Sequence, residues 1–208
     1  MQTRVTVATV RGRSYYEIIR ALKSMDVKYD SLSPEEASLS DAKVVITTRD
    51  EAGAFAGRKK AVLLDTELEK YPAIAKAKIL KSLVGAAADD QLTIGIDPGT
   101  RIGISVIYLH EEIASMLESS PGGTVEQVAA LVGGISSRRK VVRIGDGKMT
   151  MARQMAWALK KKFHDALQVE IVDEHGTSQN AEANRRGLRD RSSARTIAFR
   201  EGRPFVLK

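Results

Sequence analysis

Short apolar stretches alternate with amphipathic stretches along the first 84 residues. Apolar, β-branched runs predict three strands, at residues 5–10, 44–48 and 61–64. An apolar stripe predicts a helix over residues 14–25, and residues 66–84 predict a longer helix that Pro72 kinks or restarts. Strands that alternate with helices predict a small, parallel α/β domain over residues 1–88.

Small and polar residues at 85–90 interrupt this pattern, and we place a domain boundary there. The pattern after it predicts strands and helices in the order β-β-β-α-β-α-β-α, the first three strands forming an antiparallel meander. The predicted bounds are 92–97, 102–109, 112–118, 124–131, 141–144, 149–163, 169–172 and 178–200, the last covering one or two helices. The sequence thus predicts an α/β protein whose second domain spans residues 91–208. The set Met149, Met151, Met155 and Trp157 is assigned to the core of the helix at 149–163.

Composition restricts the class of protein. Of the 208 residues, 43% are hydrophobic and 28% are charged, which is typical of globular proteins and excludes wholesale disorder. The chain has no cysteine, which excludes disulfides, thiolate zinc sites and cysteine nucleophiles. Without an apolar run long enough for a signal peptide or a membrane span, we expect a soluble, cytoplasmic protein.

The formal net charge of +7 favours anionic partners, with nucleic acid as the first candidate. The excess is concentrated in residues 184–208, which hold eight basic and two acidic side chains. Many soluble proteins carry such a charge without binding a polyanion. Charge alone therefore leaves both interpretations open.

Acidic residues follow three predicted strands of the second domain. Asp97 ends the first strand, Asp146 follows the fourth, and Asp173 and Glu174 follow the fifth, while Asp190 lies in an arginine-rich helical segment. The carboxyl ends of adjacent parallel strands meet at one edge of a sheet. Carboxylates that converge there repel one another, and Mg²⁺ relieves that repulsion. For each acid taken alone, a structural role is about as good an explanation as metal binding. Such a role would be that of a turn residue, a helix cap or an ion-pair partner.

These motifs resemble the ribonuclease H-like fold. The resemblance is carried by Gly-Ile-Asp-Pro-Gly-Thr at the first strand, Gly-Asp-Gly after the fourth, Val-Asp-Glu-His-Gly-Thr-Ser after the fifth, and Asp190 on the last helix. Residues 91–208 are most similar to the RuvC/YqgF group of Holliday-junction resolvases and RNA-processing nucleases. This similarity implies a nuclease that hydrolyses phosphodiester bonds in branched DNA or structured RNA with two Mg²⁺ or Mn²⁺ ions about 4 Å apart. It also implies a homodimer, because branched junctions are two-fold symmetric.

The resemblance implies roles for individual residues. Asp97 corresponds to the acid that bridges the metal ions. The implied catalytic residues are Asp97, Asp146, Asp173, Glu174 and Asp190, and all of them except Glu174 are implied metal ligands. The implied nucleic-acid contacts are Arg101, Arg185, Arg186, Arg189, Arg191 and Arg195, although arginines on a helix are explained equally well as solvated charge that partly neutralises Asp190. Thr177 and Ser178 match a Thr-Thr pair of the family, whereas His175 replaces an arginine and Ser193 replaces a second helical acid.

Three hypotheses remain open at this point. The first is a metal-dependent nuclease. The second is a catalytically silent nucleic-acid-binding protein with the same fold, which the missing acid at Ser193 favours. The third is an actin-like or sugar-kinase ATP-binding fold, because Asp-Pro-Gly-Thr also resembles its first phosphate motif. That architecture needs two duplicated domains, and the second domain is too short to hold both.

Overall fold

A central sheet flanked by helices forms each of the two units into which the chain divides, Met1–Ala87 and Ala88–Lys208. The structure is a computed structural model that describes residues 4–85, 89–174 and 186–206, without the side chains of residues 186–190. The predicted α/β class is confirmed. Within the described ranges, no helix combines the length and the apolar character that a membrane crossing requires.

The first unit contains a four-stranded parallel sheet in the order β2-β1-β3-β4. Its described elements are β1 (Val5–Ala8), α1 (Gly12–Ser24), β2 (Tyr29–Leu32), α2 (Pro34–Leu39), β3 (Val44–Thr47), a 3₁₀ turn (Ala52–Phe55), β4 (Ala61–Leu64), α3 (Asp65–Lys70) and α4 (Pro72–Val84). The central strands β1 and β3 are buried at every position. This burial explains why their sequences are continuously apolar or β-branched.

The sequence-based expectation for the first unit is confirmed at one point and incomplete at another. The helix expected over residues 66–84, with a kink or a restart at Pro72, restarts there, because Tyr71 adopts φ −139° and ψ 64° immediately before Pro72 and helical backbone is disfavoured there. The edge strand β2 and the helix α2 were not predicted. The central residues of β2 are polar and exposed, so it has no apolar run. Helix α2 does carry a start signal, a capping box between Ser33 and Glu36.

The second unit contains a six-stranded mixed sheet in the order β10-β9-β8-β5-β6-β7. Its described elements are β5 (Gln91–Asp97), β6 (Ile102–Tyr108), β7 (Glu111–Glu118), α5 (Pro121–Gly134), β8 (Arg139–Gly145), α6 (Met149–Phe163), a 3₁₀ turn (His164–Ala166), β9 (Gln168–Val172), α7 (Arg186–Phe199) and β10 (Arg203–Pro204). Strands β5, β6 and β7 form an antiparallel meander, and β5, β8 and β9 run parallel. The element order is the predicted one, with the short antiparallel strand β10 added beside β9.

Helix α7 lies directly on the centre of this sheet. A Cβ atom added at Gly95 would overlap the carbonyl oxygen of Ala194 and lie 2.8 Å from Ala198 Cβ. Glycine therefore allows the helix backbone to touch strand β5. Ala198 and Phe199 line a small cavity with Gln91 and Thr93 at the beginning of β5. Helix α7 thus runs back along the strand, and its first turns lie toward the end that carries Asp97.

A buried ion pair connects the strands beneath α7. Arg143 on β8 lies opposite both Gly95 and Glu170, and its Nε donates to Glu170 Oε2 over 2.8 Å. The two side chains are only 12% and 7% exposed. Arg143 Nη1 also donates to the carbonyl of Ala198, and Gly202 N donates to Glu170. The pair therefore links β8 and β9 to the end of α7 and to the start of β10.

Candidate functional site

The predicted acids of the strand ends lie at the carboxyl edge of the six-stranded sheet. Strands β5 and β8 are parallel neighbours with Ile96 opposite Ile144, so Asp97 and Gly145 are the next pair. Neighbouring strands are about 4.8 Å apart. Asp146 follows β8, and Asp173 and Glu174 follow the neighbouring strand β9.

Asp146 and Glu174 are joined through the backbone. The N–H of Asp146 donates to the carbonyl of Val172 over 3.0 Å, and the N–H of Glu174 donates to Asp146 Oδ1 over 3.0 Å. These bonds extend the pairing of β8 and β9 beyond the ends of both strands. They fix the backbone of Glu174 at the sheet edge.

The carboxylate of Glu174 turns back over two glycines. A Cβ atom at Gly145 would lie 2.7 Å from Glu174 Cδ, and a Cβ atom at Gly147 would lie 2.9 Å from it, both inside contact distance. The two glycines of the Gly-Asp-Gly motif therefore leave the space that the Glu174 side chain occupies. The sequence pattern alone did not indicate this role.

Burial raises the pKa of the Glu174 carboxyl above its ordinary value. The backbone N–H of Gly147, which donates to this carboxylate, acts in the opposite direction, and the nearby charge of Asp146 raises the pKa further. The net direction is upward. A cation at this edge would stabilise the charged form of Glu174 and lower its pKa again.

The alternation of side chains along the strands separates the acids between two faces. Asp97 comes two residues after Gly95, so its side chain lies on the α7 face. Gly145 comes two residues after Arg143, which contacts α7, so the Glu174 carboxylate that covers Gly145 lies on that face as well. In contrast, Asp146 and Asp173 line a groove on the opposite face, beside α6.

Helix α7 brings residue 190 toward the same end of the sheet as Asp97. The side chain of Asp190 lies outside the described residues, but its backbone is part of α7, one turn before Ala194. Residue 190 is therefore about 6 Å along the helix from the contact with Gly95. Asp97 is about 6.6 Å beyond Gly95 along the strand, in the same direction. Ser193, where the resemblance would place a second helical acid, is 9% exposed.

The predicted arginine contacts are only partly described. Arg101 is exposed in the turn between β5 and β6, and Arg191 and Arg195 are exposed on α7. Arg195 Nε lies 3.7 Å from Glu112 Oε2. The side chains of Arg186 and Arg189, and all of Arg185, His175, Thr177 and Ser178, lie outside the described residues.

The described acids suit a divalent cation in donor chemistry. Asp97 and Glu174 supply carboxylate oxygens on one face of one edge, which are the ligands that Mg²⁺ prefers. Glu174 is a half-buried acid with a raised pKa, a state that bound positive charge would relieve. Among the side chains that the structure describes, no three His, Asp or Glu groups converge closely enough to hold a metal ion.

Comparison with known proteins adds no family to this picture. The chain matches no family model and no curated protein.

Sequence reasoning missed a groove next to these acids. The groove has a volume of about 810 Å³ and lies between α6 and the segment that contains β10. Trp157, which was assigned to the core of α6, is 52% exposed at this groove, and Met149 is 39% exposed, so both assignments were wrong. Helical spacing could have shown this, since the buried stripe of α6 consists of Ala152, Met155, Ala156 and Leu159.

Proposed function

We propose that the protein is a nuclease with a ribonuclease H-like second unit that hydrolyses phosphodiester bonds with Mg²⁺ or Mn²⁺ at the carboxyl edge of the six-stranded sheet. One observation carries the proposal. Asp97 and the folded-back carboxylate of Glu174 lie on the same face of adjacent strand ends, and α7 leads residue 190 toward that end. The order of elements in the unit, β-β-β-α-β-α-β-α with a final short strand, supports the proposed fold.

Each acid of the edge would have a distinct task. Asp97 and Glu174 would bind the cation from the α7 face. Asp146 positions Glu174 by accepting its backbone N–H. Metal binding by Asp146, by Asp173, which is exposed beside the groove, and by Asp190 remains a prediction. The chemistry that bound divalent ions supply is a lower pKa for the attacking water and stabilisation of the leaving oxygen.

The proposed substrate is branched DNA or structured RNA. The net charge of +7 supports a polyanionic substrate. Arg101 is exposed four residues after Asp97, where it could contact a phosphate next to the scissile bond. A homodimer is proposed for a two-fold symmetric junction, which presents two equivalent cleavage positions. The proposed location is the cytoplasm, because the chain has no cysteine.

The second candidate is a catalytically silent nucleic-acid-binding protein. It is favoured by the absence of a three-acid cluster among the described side chains and by the small, nearly buried Ser193 at the position of a helical acid. Both candidates predict salt-sensitive binding of nucleic acid. Only the nuclease requires Asp97 for a reaction.

Cleavage assays distinguish the two candidates. Mg²⁺ and Mn²⁺ are titrated into the protein with a labelled four-way junction, duplex DNA or structured RNA. The variants are Asp97→Asn and the matched control Asp165→Asn, which changes a fully exposed aspartate in the 3₁₀ turn after α6. Metal-dependent cleavage by the wild type and the control, but not by Asp97→Asn, is the expected result. Binding without cleavage by all three proteins supports the catalytically silent nucleic-acid-binding protein. If the protein neither binds nor cleaves any of the substrates, both candidates are contradicted.

A further inference from the structure

The groove beside α6 changes in character along its length. Asp146 and Asp173 lie at the sheet-edge end, where Glu201 adds a third acid. Trp157 and Phe205 lie toward the other end, because α6 runs away from the edge and β10 runs antiparallel to β9. Trp157 lies eight positions after Met149 on α6, which corresponds to a length of about 12 Å along the helix. The groove therefore leads from an exposed aromatic ring to the proposed catalytic edge.

Trp157 is presented to solvent and has a cation beside it. Its side chain is 52% exposed, and Lys161 Nζ lies 4.8 Å from the centre of the ring. Tryptophan has a large apolar surface, so leaving half of it in water sacrifices stabilisation that the core could have used. Unpaired nucleic-acid bases stack on such rings, and nearby cations attract the phosphates that accompany the bases.

Two arginines on opposite walls of the groove add positive charge. Arg153 is on α6 and Arg203 is on β10, and both are exposed. Among the described residues, neither arginine forms an ion pair. A guanidinium group without a carboxylate partner favours a phosphate oxygen, with which it can form two parallel hydrogen bonds.

We propose that this groove binds a single-stranded segment of nucleic acid, with an unpaired base on Trp157 and phosphates at Arg153 and Arg203. A length of 12 Å holds at most about three to four nucleotides, because about 3.4 Å per nucleotide is the spacing of a fully stacked strand. Single strands fit this surface better than duplexes, because the bases of a duplex are stacked on one another and cannot cover an aromatic ring. The inference rests on the proposed function, since the groove would lead the strand to the nuclease edge, but it is tested without metal or cleavage.

Trp157 is the only tryptophan of the chain, so intrinsic tryptophan fluorescence reports on this groove alone. The protein in EDTA is titrated with an oligothymidylate of about 12 nucleotides, a length within the range that single-strand sites cover. A blunt duplex hairpin is the comparison ligand. The expected result is quenching by the single strand and none by the hairpin. Equal quenching by both ligands, or quenching by neither, overturns the inference.

Variants on α6 test the residues themselves, with affinity measured by the anisotropy of a labelled oligothymidylate. Trp157→Ala should weaken binding about tenfold, and Trp157→Phe should weaken it less, because phenylalanine retains a stacking surface. Arg153→Ala should weaken binding and lower the salt dependence by about one phosphate contact. Lys162→Ala, which removes an exposed cation of α6 outside the groove, should match the wild type. Unchanged affinity of both Trp157→Ala and Arg153→Ala overturns the inference.

The two proposals fail in different ways. If quenching and the expected losses of affinity are observed but no cleavage occurs under any condition, single-strand binding in the groove is supported and the proposed nuclease activity is overturned. Metal-dependent cleavage that needs Asp97, together with unchanged single-strand affinity in both Trp157→Ala and Arg153→Ala, supports the nuclease and overturns the proposed single-strand groove. Trp157 and Arg153 both lie on the surface of α6, so circular dichroism should show that Trp157→Ala and Arg153→Ala remain folded.

Discussion

The backbone N–H of Glu174 donates a 3.0 Å hydrogen bond to Asp146 Oδ1, which ties together two acids from neighbouring strand ends. The bond orients the Glu174 side chain so that its carboxylate returns over Gly145 and Gly147 to the α7 face. Asp146 therefore positions Glu174, whose carboxylate lies on the α7 face of the sheet. The carboxylate of Asp146 itself lines the groove on the opposite face, beside α6.

Gly147→Ala should displace the Glu174 carboxylate. The added methyl group overlaps the end of a flexible side chain rather than backbone, so the protein should remain folded while Glu174 moves. We expect metal-dependent cleavage to fall about tenfold or more, since sites of this kind tolerate little displacement of a ligand. The measurement is the initial cleavage rate as a function of Mg²⁺ concentration.

The matched control for this change is Gly133→Ala, near the end of α5. An added Cβ atom there meets nothing within 4 Å, and alanine favours helix over glycine. The control should cleave normally and should be slightly more stable than the wild type. Equal cleavage rates in Gly147→Ala and in the wild type would show that the position of Glu174 does not matter for catalysis.

Gly95→Ala should destabilise the second unit. Here the methyl group would meet the backbone of α7 at Ala194 and Ala198, which cannot move without lifting the helix from β5. Overpacking of this kind costs about 1–3 kcal/mol. Urea unfolding measures the loss, with Gly122→Ala in the first turn of α5 as a control in open space. The close contact would be refuted by a variant as stable as the wild type.

Arg143→Met should be strongly destabilising, because it leaves the Glu170 carboxylate buried without its cation. Removing one partner of a buried ion pair costs about 3–5 kcal/mol. Changing both residues to methionine should restore most of this loss, because no unpaired charge then remains. Denaturant unfolding of Arg143→Met, of Glu170→Met and of the double variant gives the coupling free energy between Arg143 and Glu170. Arg13→Ala, which breaks an exposed pair with Glu17, should show no measurable change.

The stability of the first unit should depend on pH through Glu51. Burial raises the pKa of this carboxyl, but the hydroxyls of Thr48 and Thr9 and the N–H of Val10 donate hydrogen bonds to it, and the net pKa is lowered. Glu51 accepts from Thr48 Oγ1 over 2.6 Å and from Val10 N over 2.9 Å. A lowered pKa means that the charged form contributes stability above the unfolded pKa and that this contribution is lost as the pH falls through the folded pKa.

Unfolding of the wild type and Glu51→Gln over a pH series checks this expectation. The wild type should be the more stable protein at neutral pH, and the difference should shrink as the solution becomes acidic. Glu35→Gln serves as the control, since its carboxylate lies exposed at the first turn of α2. A difference between Glu51→Gln and the wild type that stays constant from neutral to acidic pH would contradict the assigned hydrogen bonds.

The elements that depend on local pattern could be predicted from the sequence. Strand β4 and helix α6 have the predicted bounds. A continuous apolar run marks the strand, and apolar residues at helical spacing mark the helix. The collection of Asp97, Asp146 and Glu174 at one edge follows from parallel pairing, which the alternation of strands and helices already indicated.

Features that arise from tertiary contacts could not be predicted in this way. Strand β10 is only Arg203–Pro204, without an apolar run, and it exists because β9 offers it an unpaired edge. In the sequence, Arg143 and Glu170 are charged residues that interrupt apolar strands. Only the pairing of β8 with β9 shows that they lie opposite each other. Likewise, the return of Glu174 over Gly145 depends on the pairing of β8 with β9 and has no local signal.

The contact between Gly95 and α7 has a consequence for the order of folding. It joins residues about a hundred positions apart, whereas the meander β5-β6-β7 is built from neighbouring segments. Closing a long loop costs entropy before any contact rewards it, so local hairpins form early and distant partners dock late. The meander should thus assemble first, and the acidic edge should gain its covering helix only in the final step.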